Sequence, residues 1–162
     1  MTSGRSGRFG RSAFVFSEQG AAAYKEIRMT RKIEIQRFSL TTSKPFNEVI
    51  TGVNSAIGHP DMTEFGRSTH EARSLAELKT AVQKGLSKVG LMLFIQLDHG
   101  AILRKETGRE TPKMIRFVIG NPLIMKEMVK HVPDAGSYAP VTVLVDERAK
   151  ASICHMTGWR AS

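Results

Sequence analysis

The spacing of apolar residues changes several times along the chain, and each change marks an element. Across 32–40 (Lys-Ile-Glu-Ile-Gln-Arg-Phe-Ser-Leu) apolar and polar residues alternate, as in a strand. Ile33 and Ile35 share one parity, Phe38 and Leu40 the other, which predicts a bulge or bend near Arg37. After Ser43-Lys44-Pro45, the residues Phe46, Val49, Ile50, Val53, Ala56 and Ile57 recur at helical spacing, and Gly58-His59-Pro60 stops that helix. Residues 61–73 carry a weaker pattern, read as a short strand at 62–65. Ser74 and Glu77 form a capping box ahead of a stripe of Leu75, Leu78, Val82, Leu86 and Val89, and Gly90 is expected to end that helix.

Residues 91–97 are apolar except for Gln96, which predicts a central strand buried on both faces. Asp98 then caps a short helix that Gly108 closes. A strand at 114–119 runs into Gly120-Asn121-Pro122, a helix start with Asn as cap and Pro at the first position, and that helix stops at Pro133. Residues 141–145 form a third strand, 146–150 a turn, and 151–156 a returning edge strand. Strands and helices alternate through short, varied connections. The predicted architecture is α+β: a two-layer sandwich with helices on one face of a mixed β-sheet.

Composition sharpens this picture. The chain has 162 residues with 41% hydrophobic, enough for one real core. No apolar run approaches the ~18 residues of a membrane span. The single cysteine, Cys154, excludes an intramolecular disulfide and a cysteine-based zinc finger. The formal charge is +9, but the basic residues are dispersed among acids, with no basic run and no aromatic platform, so nucleic acid is not the expected partner. The segment 1–28 begins MTSGRSGRFGRS and lacks periodicity; it reads as a disordered tail or an extension ahead of an internal start at Met29. One domain is expected over 29–156 and a frayed tail over 157–162. With no export signal and a free thiol, the cytoplasm is the expected compartment.

The chemistry-bearing residues are few. Asp98-His99-Gly100 joins a carboxylate and an imidazole at the end of a greasy strand and the start of a helix, where free N–H groups suit an anion and an imidazole suits proton transfer. As plain scaffold, Asp98 is an N-cap and His99 a first-turn residue. Gly120-Asn121-Pro122 makes a second helix start after a strand, and the Tyr138 hydroxyl is placed to reach a ligand. The candidate ligand-binding set is therefore Asp98, His99, Gly100, Asn121 and Tyr138, with His99 and Asp98 the candidates for any catalysis. Phosphate-loop, dinucleotide-binding and nucleophile-elbow motifs are absent. His59, His70, His99, His131 and His155 show no metal-ligand spacing. Met92, Met114, Met125 and Met128 read as core filling, as the border of an adaptable pocket, or as haem ligands. Cys154 and His155, as strand neighbours, face opposite ways.

Three motifs in sequence carry a family resemblance: Leu91-Met92-Leu93-Phe94 leading to Asp98-His99-Gly100-Ala101, then Phe117-Val118-Ile119-Gly120-Asn121-Pro122-Leu123, then Tyr138-Ala139-Pro140 before 141–145. Over about residues 32–156 the chain resembles the bacterial domain-of-unknown-function family number three hundred and two. Relatives commonly carry Phe-Gly where Ile119-Gly120 stands, and often continue into a further polar helix. The resemblance implies a compact α+β domain of the TATA-binding-protein-like kind, a homodimer, and no agreed activity. The residues and the resemblance together favour a dimeric module that binds a small ligand, such as a metabolite, an anion or haem. The alternatives are a cofactor-independent enzyme with His99 as general acid/base, which requires Asn121 or Tyr138 to converge on His99, and a nucleic-acid or protein interaction module.

Overall fold

The computed structural model describes residues 35–110, 112–148 and 151–159. The chain divides into two units, Met1–Lys32 and Ile33–Ser162. The expected extension at 1–28, the start at Met29 and residues 160–162 all lie outside the described residues.

The alternating segments pair into one sheet. Its strands are β1 (Ile35–Thr42), β2 (Met92–Asp98), β3 (Met114–Gly120), β4 (Val141–Arg148) and β5 (Ala151–Trp159). They lie in the order β1-β5-β4-β3-β2, and every neighbouring pair is antiparallel. The sheet is therefore antiparallel rather than mixed. Among the described residues an isolated parallel bridge joins Gly58 to Met92 at the start of β2, apart from the strand ladders. β4 and β5 follow one another at a two-residue interval and pair as a hairpin, whereas the chain between β3 and β4 runs through residues 121–140 before it returns beside β3.

Several strand expectations change. Residues 91–97 form an edge strand, with Ile95 48% exposed, because a run of apolar residues does not specify how many strands flank it. β5 is internal, between β1 and β4. β1 pairs with β5 in unbroken register through Arg37; Phe38 and Leu40 are simply exposed, at 54% and 67%, so no bulge is needed to bury them. The register shift falls instead between Leu93 and Ile95. β4 continues through Asp146 to Arg148, past the expected turn, and β5 extends to Trp159 into the expected tail.

The core forms where helix α1 (Phe46–Ala56) meets one face of this sheet. Phe46 and Ile57 are buried against Phe117, Ile119, Val143 and Val145, with Val49, Ile50 and Val53 packed beside them. This is the stripe that the helical spacing predicts, except that Ala56 is exposed. Helix α2 (Met62–Glu71) stands where a short strand was expected. The Asp61 side chain accepts the Glu64 N–H at 2.9 Å and caps it. No residue of α2 is fully buried, so its helical apolar period is faint.

Helix α3 (Leu75–Gly85) starts at the predicted box: Ser74 accepts from Glu77 N–H, and the Glu77 carboxylate accepts from Arg73 N–H at 2.8 Å. It ends at Gly85, five residues before Gly90. Gly90, at φ +75°, instead closes a turn onto the Ser87 carbonyl. Helix α4 (His99–Thr107) is capped by Asp98 and closed by Gly108 at φ +66°, and helix α5 (Pro122–His131) begins at Asn121; both follow the sequence reading. A single 3-10 turn over Pro133–Ser137 links α5 towards β4.

Candidate functional site

The antiparallel pairing of β2 and β3 decides how the sequence candidates can combine. Asp98 lies opposite Ile115 at one end of β2, and Met92 lies opposite Gly120 at the other. Six residues of strand, roughly 20 Å, therefore separate the Asp98-His99-Gly100 corner from Gly120-Asn121. Tyr138 belongs to the Asn121 end, where it lines the same hollow. The five candidates form two places, and the convergence that a His99-centred enzyme requires is not met.

At the first place, Asp98 is committed to structure. Its Oδ1 accepts the Ala101 N–H at 2.8 Å and its Oδ2 accepts from Arg104 Nη2 at 2.9 Å. Burial pushes the Asp98 pKa up, but the Arg104 hydrogen bond, the Ala101 N–H, the Arg104 charge and the Gly100 N–H outweigh it and hold the carboxyl below its ordinary value. The N-terminus of α4 thus already carries an anion, the chain's own carboxylate, which disfavours a second one. Gly100 is required by packing: a Cβ there would fall 2.7 Å from the Met114 nitrogen and 3.0 Å from the Pro112 carbonyl oxygen. His99 is half-buried in the first turn of α4.

At the second place there is a hollow. Asn121 builds its wall: Oδ1 accepts the Leu123 N–H at 2.9 Å, and Nδ2 donates to the Gly90 carbonyl at 3.0 Å, tying the 87–90 turn to the start of α5. The register shift after Leu93 leaves Phe94 out of the ladder with β3. Phe94, Met125, Met128, Tyr138 and Pro140 enclose about 250 Å³, with Gly120 as the floor between Phe94 and Pro140. A Cβ on Gly120 would stand 3.1 Å from the Pro140 Cβ and 3.4 Å from Phe94 Cε2. Of the methionines, Met125 and Met128 border this hollow, whereas Met92 is fully buried in the interior. Their spacing of three within a helix is the sequence signal for this wall; Phe94 had no such signal, because its role follows from a register shift.

Pockets for drug-sized ligands span roughly 300–1,000 Å³, so this hollow is of a size to hold a single ring or a short acyl chain. A larger groove of about 650 Å³ runs between α2 and α3. Its carboxylates are spent: Asp61 caps α2, Glu64 and Glu71 pair with Arg67, and Glu77 holds the Arg73 N–H. Among the described residues no three His, Cys, Asp or Glu side chains gather to hold a metal, and no helix is long and apolar enough to cross a membrane. Cys154 packs against the core, where burial pushes its thiol pKa up.

Comparison with known proteins follows the same residues. The family described as "Domain of unknown function DUF302" matches residues 68–157, more than half of the chain. The chain belongs to the DUF302 family. The matched span runs from α2 to β5 and contains both the Asp98 corner and the Asn121 hollow; β1 and α1 precede it. Among solved structures, the chain is similar to an uncharacterized conserved DUF302 protein from Bacillus stearothermophilus, at 13% identity, covering 74% of this chain and 71% of that one, with a TM-score of 0.45. No curated protein matches.

Proposed function

We propose that this DUF302 domain is a binding module for a small apolar ligand, held in the hollow between α5, the start of β2 and the entry to β4. The observation that carries the reading is the enclosure of about 250 Å³ by Phe94, Met125, Met128, Tyr138 and Pro140. Apolar walls with few polar groups suit a ligand recognised by shape, and methionines let the walls adapt to it. Asn121 acts here as a wall support, since its amide is already bonded to Gly90 and Leu123. The module works as a homodimer in the cytoplasm, with the helices forming one layer over the sheet in the TATA-binding-protein-like manner that the family resemblance implies.

The test is thermal denaturation with single-ring aromatics and six- to eight-carbon acids. A ligand at one hundred times its dissociation constant adds about 2.7 kcal/mol, a rise of several degrees in Tm. Met128→Trp, which fills the hollow from a half-exposed position, is expected to abolish the rise. If every compound leaves Tm unchanged, or if Met128→Trp still responds, the reading fails. Sedimentation velocity reads the dimer separately.

A further inference from the structure

On the sheet face opposite Val145 and Cys154, three polar side chains from three strands stand in a row. Ser39 of β1 pairs across from His155 of β5, and its Oγ lies 2.7 Å from His155 Nδ1. His155 Nε2 lies 3.4 Å from Asp146 Oδ2 on β4. Arg148 closes the row, its guanidinium donating to Asp146 Oδ1 at 2.6 Å and to Oδ2 at 3.1 Å. We propose that Ser39 is a nucleophile activated by His155, and that this face of the sheet hydrolyses small activated acyl esters.

Two features carry the proposal. The first is the gradient of exposure. Ser39 is exposed, the His155 side chain is 22% exposed and the Asp146 side chain 5%. The nucleophile thus meets solvent, the base stands behind it and the orienting carboxylate is deepest, as nucleophilic catalysis by a hydroxyl requires. The second is the tautomer. An ionised carboxylate can only accept, so Asp146 selects the imidazole with its proton on Nε2, which leaves Nδ1 as the acceptor for the Ser39 O–H. Arg148 holds Asp146 in its charged form. Arg37 lies two residues before Ser39 on the same strand face, within roughly 7 Å along the strand.

The step balances without a cofactor. Ser39 Oγ adds to the ester carbonyl carbon as its proton passes to His155 Nδ1. The carbon–oxygen bond to the leaving group breaks, giving the alcohol or phenolate and an acyl-serine, and the imidazolium returns its proton to the leaving group or to solvent. Water then attacks the acyl carbon and gives a proton to Nδ1. That proton returns to Ser39 Oγ as the carboxylic acid departs.

The experiment uses the full chain with 4-nitrophenyl acetate, reading nitrophenolate release and, after acid quenching, the mass of each peptide. The expected result is one acetyl group on the peptide carrying Ser39. Ser39→Ala changes an exposed hydroxyl and is expected to lose both the adduct and at least nine-tenths of the rate. Ser39→Cys is expected to regain an adduct at the same position. His155→Gln should slow acylation by about a hundredfold, the lower end of what a positioned base contributes. Asp146 is a positioning residue, and Asp146→Asn should lower kcat with KM unchanged. An adduct confined to lysines, a wild-type rate in Ser39→Ala, or a rate lost with His155 but retained without Ser39 would each overturn the proposal.

Discussion

Replacing Gly58 by alanine opposes two effects whose sizes can be compared. Gly58 has an ordinary negative φ, so alanine would stiffen the unfolded chain and, by backbone entropy alone, stabilise by about 0.4–1 kcal/mol. The surroundings argue the other way. A Cβ at this position would clash with the Gly85 carbonyl oxygen and stand 2.9 Å from the Ser87 nitrogen and 3.0 Å from the Gly85 carbonyl carbon. All three are backbone atoms, which cannot swing aside as a side chain would. Gly58 is also bonded to the edge strand on both sides, through its N–H to Leu91 at 2.9 Å and its carbonyl from Leu93 at 2.8 Å. Relieving the clash strains or breaks those two bonds, worth about 1 kcal/mol each, on top of about 1–3 kcal/mol for forcing an extra carbon into a packed site. The net expectation is a loss of about 2–4 kcal/mol, a Tm fall of roughly 6–12 °C for a domain of this size. Gly52→Ala supplies the contrast: it lies in α1 with nothing within 4 Å of a Cβ, and should gain about 0.5–1 kcal/mol. Thermal and urea unfolding of the three proteins measure both signs. A Gly58→Ala protein at least as stable as wild type would refute the reasoning.

Other outcomes follow from the caps, the acids and the thiol. Asp98→Ala loses the cap of α4 and the Arg104 ion pair and should cost about 1–2 kcal/mol by urea denaturation. Asn121→Ala should cost a similar amount, since it releases both Leu123 and Gly90. The Arg148 hydrogen bond, against the opposing effect of burial, holds Asp146 below the ordinary carboxylate value of 3.8, so its stabilising contribution is complete above that value and is lost as pH falls through the folded pKa. Melting curves of wild type and Asp146→Asn should therefore differ at neutral pH and converge at the acid end. Cys154, held back by burial, should react with iodoacetamide at pH 8 only slowly until denaturant is added, as mass spectrometry would read.

The sequence made some elements readable and hid others for physical reasons. The α1 stripe and the caps Ser74, Asp98 and Asn121 are local, so spacing and residue type were enough. Helix α2 escaped because its half-sheltered residues are Phe65, Ser68 and Thr69, and a single apolar residue among them leaves almost no periodic trace. The place of β2 at an edge and β5 inside was illegible because neighbours in a sheet are chosen over long separations, and an apolar run such as 91–97 does not say how many strands flank it. The same holds for the candidate residues. Asp98 and Asn121 were each identifiable as a helix start, but only the antiparallel register puts them at opposite ends of β2. Alternation could have put Ser39 on the face away from Leu40, and His155 on the face away from Cys154. No local pattern could reveal that a residue 116 positions away would complete the pair.

That long separation bears on how the molecule is made. β1 emerges from the ribosome early, yet the strand it bonds to is the latest of the five to be synthesised. Through most of translation β1 therefore has no hydrogen-bonding partner in this sheet, with Phe38 and Leu40 open to any other strand nearby. A nascent chain stalled before β5 would be a hazard to its neighbours rather than a shortened version of the domain, and a chaperone that shelters β1 until synthesis reaches β5 would raise yield without touching the finished protein.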